Sequence, residues 1–127
     1  MVDGKKLKKI VTQIFRKRGL SLSHASISAE ALINAEYVGA YGHGISRLKM
    51  YCERIKKKVI NPKPKIKIKQ ISNSISFIDA NNSIGFVAAD TAIKTLIKST
   101  KKTGIGLVGV KNSGHYGLSG YYVEQAV

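Results

Sequence analysis

Between residues 5 and 18, apolar side chains return every three or four positions, at Leu7, Ile10, Val11, Ile14 and Phe15. Lysine and arginine fill the turns between them, so the stretch predicts an amphipathic helix laid on a core. Gly19 stands where such a helix ends, because glycine enters the left-handed conformation without steric cost. Ser21 or Ser23 then caps a second helix, "HASISAEALINAEYVGA" over 24–40, whose small residues allow close packing. Gly39, Gly42 and Gly44 follow within six positions. Helical spacing resumes at Ile45, Leu48, Cys52, Ile55 and Val59. Asn61-Pro62 closes that seam, since the residue before proline is pushed out of the helical region.

The period then changes from near four to two. In "KPKIKIKQI" (63–71), Lys65, Lys67 and Lys69 face one way while Ile66 and Ile68 face the other. This predicts a strand with one buried and one charged face, and its lysines discourage edge-to-edge aggregation. "SISFIDA" (74–80) is a second β-type run, and Ser72, Asn73 and Ser74 between the two make a hairpin. Residues 85–102 return to helical order, with Phe86, Ala89, Ile93, Leu96 and Ile97 on one face. "IGLVGV" (105–110) predicts a short apolar strand, and "LSGYYVEQAV" (118–127) starts another helix. The chain divides into a helical region over 1–61 and a mixed β/α segment over 62–127, with no internal repeat.

Length and composition narrow the classes. A chain of 127 residues, 43% apolar, is one domain long and is neither disordered nor membrane-spanning in type. No apolar run nears the roughly 20 residues of a membrane helix, and the N-terminus lacks the apolar core of a secretory signal. The single cysteine, Cys52, cannot form an internal disulfide, which suits a reducing, cytoplasmic setting. The net charge of +15 has two readings. One is a small basic module for nucleic acid or another polyanion; the other is a lysine-biased composition spread over solvated faces. No aromatic residue interleaves with the lysines of 63–71 to stack on bases, which disfavours nucleic acid.

Three stretches raise the question of chemistry. "GIGLVG" (104–109) fits the dinucleotide pattern G-x-G-x-x-G, but it follows a helix and runs into a strand. The pattern binds pyrophosphate only when it opens a helix, so Gly104 reads as a helix stop, and Gly106 and Gly109 as thin points in a strand. In "GHGISRLKMY" (42–51), a helix from 43 onward would set His43, Arg47 and Tyr51 in one polar row. An arginine there suits a carboxylate, to which its planar fork donates two parallel bonds. The same residues also read as a helix cap and a solvated cation. His115, in "VGVKNSGHYGLSG" (108–120), lies past the end of an apolar strand among small and polar residues. It is a candidate general acid or base, because its ordinary pKa lies near neutrality; alternatively it is a loop histidine bonded to nearby backbone. His24, His43 and His115 lack zinc-ligand spacing, so no metal site is expected. No G-x-S-x-G elbow marks a serine nucleophile.

Taken together, "GHGISRLKMY", "FIDANNSIGFVAADTAI" (77–93) and "GVKNSGHYGLSGYYVEQA" (109–126) resemble the malate/L-lactate dehydrogenase family. This is the non-Rossmann family that also includes ureidoglycolate and sulfolactate dehydrogenases. The resemblance implies an α+β fold, with N-terminal helices leading into a mixed, largely antiparallel β/α segment. It implies oxidation of a 2-hydroxy acid to the 2-oxo acid with NAD or NADP. By the same resemblance His115 is the acid/base residue, Arg47 holds the substrate carboxylate, and His43 and Tyr51 line that pocket. Two departures stand out. The family has S-H-G where this chain has Gly42-His43-Gly44, and family members are much longer. The cofactor-gripping segments are therefore expected beyond Val127. The chain is expected to be the N-terminal part of a longer enzyme, a partner to a complementing C-terminal half, or an inactive remnant. Homodimerisation is a further expectation from the family.

Overall fold

A computed structural model describes residues 3–127 and follows the expected order of helices and then a small sheet. Helix α1, Gly4–Lys17, starts on Asp3, whose carboxylate accepts the Lys5 backbone N–H at 2.9 Å. It ends before Gly19, which takes φ +99°. Val11 and Phe15 on its apolar face are buried. Helix α2, Leu22–Tyr37, is capped by Ser21, whose hydroxyl accepts the His24 N–H at 3.1 Å. That contact decides between the two candidate serines. Ala25, Ser28, Ala29 and Leu32 are buried along α2, which packs closely against α1.

The helix expected from residue 43 is broken. Two single 3-10 turns, Tyr41–His43 and Ile45–Arg47, precede helix α3, Leu48–Lys56. The break falls at Gly44, where the Glu36 carboxylate accepts the Ile45 N–H at 2.7 Å. A side chain on Gly44 would strike that carboxylate, its carbon lying 2.7 Å from an ideal Cβ. His43, Arg47 and Tyr51 are therefore not one helical row. α3 also stops earlier than the seam suggested. Lys58 turns into the left-handed region at φ +59°, and the N–H groups of Val59 and Ile60 both return to the Arg54 carbonyl. Val59 consequently faces solvent, and Ile60 takes the buried place.

Strand β1, Lys67–Gln70, pairs antiparallel with β2, Ile75–Ser83, placing Lys67 opposite Asp79 and Ile68 opposite Ile78. The Ser72 hydroxyl holds the hairpin by accepting the N–H groups of Ser74 and Ile75. β2 continues through helix α4, Gly85–Thr103, to strand β3, Leu107–Ser113, which lies parallel to β2. The sheet is thus mixed, in the order β1-β2-β3. Helix α5, Ser119–Val123, closes the described chain. Alternation in the lysine-rich strand does not produce a buried face, since all four residues of β1 are exposed and Ile68 is 53% accessible. Only Ile66, just before β1, packs on the core. Gly104 ends α4 in the left-handed conformation, and Gly106 and Gly109 lie under Leu96 and the Phe77 ring, as thin points should.

One core joins both parts of the chain. Val11 and Phe15 of α1, Leu32 of α2, Tyr51 of α3, and Phe86 and Val87 of α4 are all nearly or fully inaccessible and belong to one cluster. Each such side chain contributes about 1.5–3 kcal/mol on burial. This packing fixes α3 against the start of α4, which determines what can meet at the site.

Candidate active site

The loop after β3 carries His115 back over the N-terminal end of α4. The approach is so close that an ideal Cβ on Gly85 would fall on the His115 carbonyl and 2.6 Å from the Gly114 carbonyl oxygen. Only a residue without a side chain allows the loop to lie there. Gly117 then turns the chain at φ +84°, and its own missing Cβ is filled by the Phe86 ring at 2.7 Å. Beyond it, the Tyr122 hydroxyl donates to the Tyr116 carbonyl at 2.8 Å and ties α5 to the loop.

The imidazole meets Tyr51 across 64 residues of sequence: the phenol oxygen lies 2.7 Å from Nδ1. The Gly117 N–H also donates to Nδ1, at 3.3 Å. The His43 ring lies nearly parallel to that of His115, with centroids 5.8 Å apart. Tyr51 is 1% exposed and its ring packs on Phe86 at 4.8 Å. Burial pushes the Tyr51 hydroxyl up to about 12, despite the opposing charges of Arg47 and Arg54. Loss of solvent lowers the pKa of His115, and the positive neighbours His43, Arg47 and Arg54 lower it further. The surroundings thus favour the neutral imidazole over the charged one, while the two arginines favour an anion.

Arg47 is anchored at its root, where Nε donates to the Gly42 carbonyl at 2.7 Å. Its terminal NH2 groups have no protein partner among the described residues, so the fork is available to a carboxylate. Of the four residues singled out in the sequence, His43, Tyr51 and His115 gather directly, and Arg47 reaches them through its charge. Tyr51 differs from expectation in its orientation, for it is buried with its polar end on His115. Gly42 has nothing within 4 Å of an ideal Cβ, so a side chain at this position would enter open space.

Sequence reasoning missed the parts played by Gly85, Gly117 and Arg54. Gly85 had a local signal, because α4 opens without a capping side chain, its N-cap being Ile84. No signal in the sequence indicated that the Gly117 N–H would face a ring nitrogen.

A groove of about 480 Å3 lies beside the His115 loop, lined by Ala88, Ala92, Leu96, Val108, Val110 and Tyr116, with no charged residue in its lining. The N-terminus of α4 is overlain by the carbonyls of Gly114 and His115, which repel a pyrophosphate rather than receive it. The described residues also contain no group of three or more His, Cys, Asp or Glu able to hold a metal ion, and no helix long and apolar enough to cross a membrane.

The lowered histidine pKa has a consequence for stability. His24, partly buried on α2, is lowered as well, mainly by desolvation. Below the ordinary value of 6.5 the unfolded chain takes up protons that the folded chain refuses. Folding stability is therefore full above that value and declines as pH falls through the depressed folded values. The urea midpoint should be lower at about pH 5 than at about pH 8, and His115→Gln should reduce the difference. Equal midpoints for the parent chain would contradict the assignment.

Comparison with known proteins identifies the family. A profile of the malate/L-lactate dehydrogenase family matches residues 2–127, and the chain belongs to that family. It is 32% identical, over its whole length, to the malate/(S)-sulfolactate dehydrogenase of Methanothermus fervidus, of which it spans 38%. It is 30% identical over 125 residues to the NAD(+) ureidoglycolate dehydrogenase of Escherichia coli, spanning 36% of it. The structure of malate dehydrogenase from Pyrococcus horikoshii superposes with a TM-score of 0.95 at 35% identity, covering 98% of this chain and 36% of that one. The chain thus corresponds to the N-terminal portion of its relatives and spans little more than a third of their length.

Proposed function

We propose that this chain supplies the substrate-anchoring and proton-handling part of an oxidoreductase that interconverts a 2-hydroxy acid and its 2-oxo acid. What supports the reading is an imidazole bonded to Tyr51, within range of the charge of Arg47, whose fork has no protein partner among the described residues. Arg47 holds the carboxylate of the acid. His115 bonds the oxygen on the adjacent carbon through Nε2 and exchanges a proton with it. His43, parallel to His115, closes one side of the pocket. The redox partner is NAD or NADP, in keeping with the NAD(+) named for the ureidoglycolate relative. Its phosphates are held by polypeptide other than the described residues, and no step is derived through it.

Malate is the first substrate to test, because malate dehydrogenases stand among the relatives in both sequence and structure. A reducing, cytoplasmic setting accords with the buried free thiol of Cys52. A suitable vehicle is a chimaera in which residues 3–127 replace the matching third of the P. horikoshii enzyme. There Arg47→Lys keeps the charge but loses the fork. A charge-assisted hydrogen bond contributes about 1.5–3 kcal/mol, so kcat/KM for malate should fall about tenfold to a hundredfold. An unchanged value would remove Arg47 from the substrate site and the reading with it.

A further inference from the structure

The hydrogen bond between Tyr51 and His115 leaves open, by itself, which atom donates. A hydroxyl gives or takes a proton, and so does a ring nitrogen. The second contact to the same nitrogen closes the question. A backbone N–H only donates, and that of Gly117 is directed at Nδ1 from 3.3 Å. Nδ1 must therefore carry its lone pair, and the phenol must donate to it. Tyr51 is suited to do so permanently, being buried with its pKa raised to about 12.

We propose that Tyr51 is a positioning residue that fixes the tautomer of His115, holding the proton of the neutral imidazole on Nε2. This deepens the function proposed above and rests on it for its meaning, though not for its test. With the proton on Nε2, the resting site donates a hydrogen bond to an acceptor oxygen. It is therefore set for the carbonyl of a 2-oxo acid before it is set for the hydroxyl of a 2-hydroxy acid. Accepting a hydroxyl proton at Nε2 requires the imidazole proton to sit on Nδ1. There it would face the Gly117 N–H and oblige the Tyr51 hydroxyl to turn from donor to acceptor. The same two donors oppose full protonation, as do the nearby charges of Arg47 and Arg54. The site thus favours the oxo acid in binding, through the location of one proton.

The chain alone, labelled with nitrogen-15 at histidine, suffices as a test. Long-range proton–nitrogen correlation spectra at about pH 8 distinguish a bare ring nitrogen from a protonated one, with His115 assigned from its loss in His115→Gln. The expected spectrum places Nδ1 in the bare, pyridine-like region and Nε2 in the protonated, pyrrole-like region. Tyr51→Phe keeps the ring that packs on Phe86 and removes only the hydroxyl. Its two His115 nitrogens should move toward each other as the tautomers mix. The midpoint of the His115 titration should rise by about 0.5 to 1 pH unit, the worth of one ordinary hydrogen bond to the neutral form. A parent spectrum with the proton on Nδ1, or a Tyr51→Phe spectrum identical to the parent, would overturn the proposal. If Tyr51→Phe does not fold, the parent spectrum decides alone. Activity enters nowhere in this test: a confirmed tautomer with no role for His115 in turnover would refute the function and leave the tautomer standing.

Discussion

His115→Ala in the chimaera with P. horikoshii malate dehydrogenase lowers turnover of malate by about a hundredfold to ten-thousandfold. That is the range a positioned acid/base group contributes. The loss belongs in kcat more than in KM, because the carboxylate contact through Arg47 survives the substitution. The position is also well suited to a clean result. His115 is exposed at the loop surface and contributes nothing to the buried cluster, so its removal leaves the core intact. Turnover within threefold of the parent would show that this imidazole is a loop histidine held by hydrogen bonds and no more.

Gly85→Ala is the second large effect, and it acts at a distance from the chemistry. Its new methyl group would sit on the backbone of residues 114 and 115, where the obstructing atoms are carbonyl groups. A side-chain tip would swing aside, but backbone must be displaced. The only relief is for the His115 loop to lift, carrying the imidazole away from Tyr51. Overpacking of this kind costs about 1–3 kcal/mol of stability. A displacement of about 1 Å at a reacting group costs about a hundredfold in rate. The expected result is a folded chimaera with a lowered melting temperature and at least a hundredfold loss of turnover. Gly120→Ala is the control, since nothing lies within 4 Å of its Cβ and it should be nearly silent. Equal behaviour of the two variants would mean that the loop is not held by α4.

These two residues also mark how far the sequence could be read. Apolar spacing located α1, α4 and most of α3, because a stripe that must reach a core leaves its period in the chain. A serine cap marked α2 and an apolar run marked β3, while the two 3-10 turns went unforeseen. The break at Gly44 was not legible, since it depends on the Glu36 carboxylate reaching across from α2 to take the Ile45 N–H. Val59 and Ile60 exchanged places because Lys58 enters a left-handed turn that a lysine does not announce. Ile68 alternates like a buried residue yet remains exposed, because nothing among the described residues covers that face of β1. For the site, residue type nominated His43, Arg47, Tyr51 and His115, while spacing assigned the first three to a helical row that does not exist. What gathers them is tertiary: α3 packed on α4, and a loop lowered onto Gly85. Tyr51 shows the limit most clearly. The family resemblance implied a pocket-lining role, and the fold adds a contact to the histidine that the sequence did not announce.

The proposed chemistry requires Arg47 and His115 to meet one small anion. The most direct measurement is a titration of the nitrogen-15-labelled chain with oxamate, an unreactive isostere of pyruvate, following the Arg47 side-chain and His115 ring signals together. Convergence predicts that both move and saturate along one binding curve, with Arg47→Lys weakening the response at His115. Movement of one signal without the other, or two unrelated curves, would contradict it.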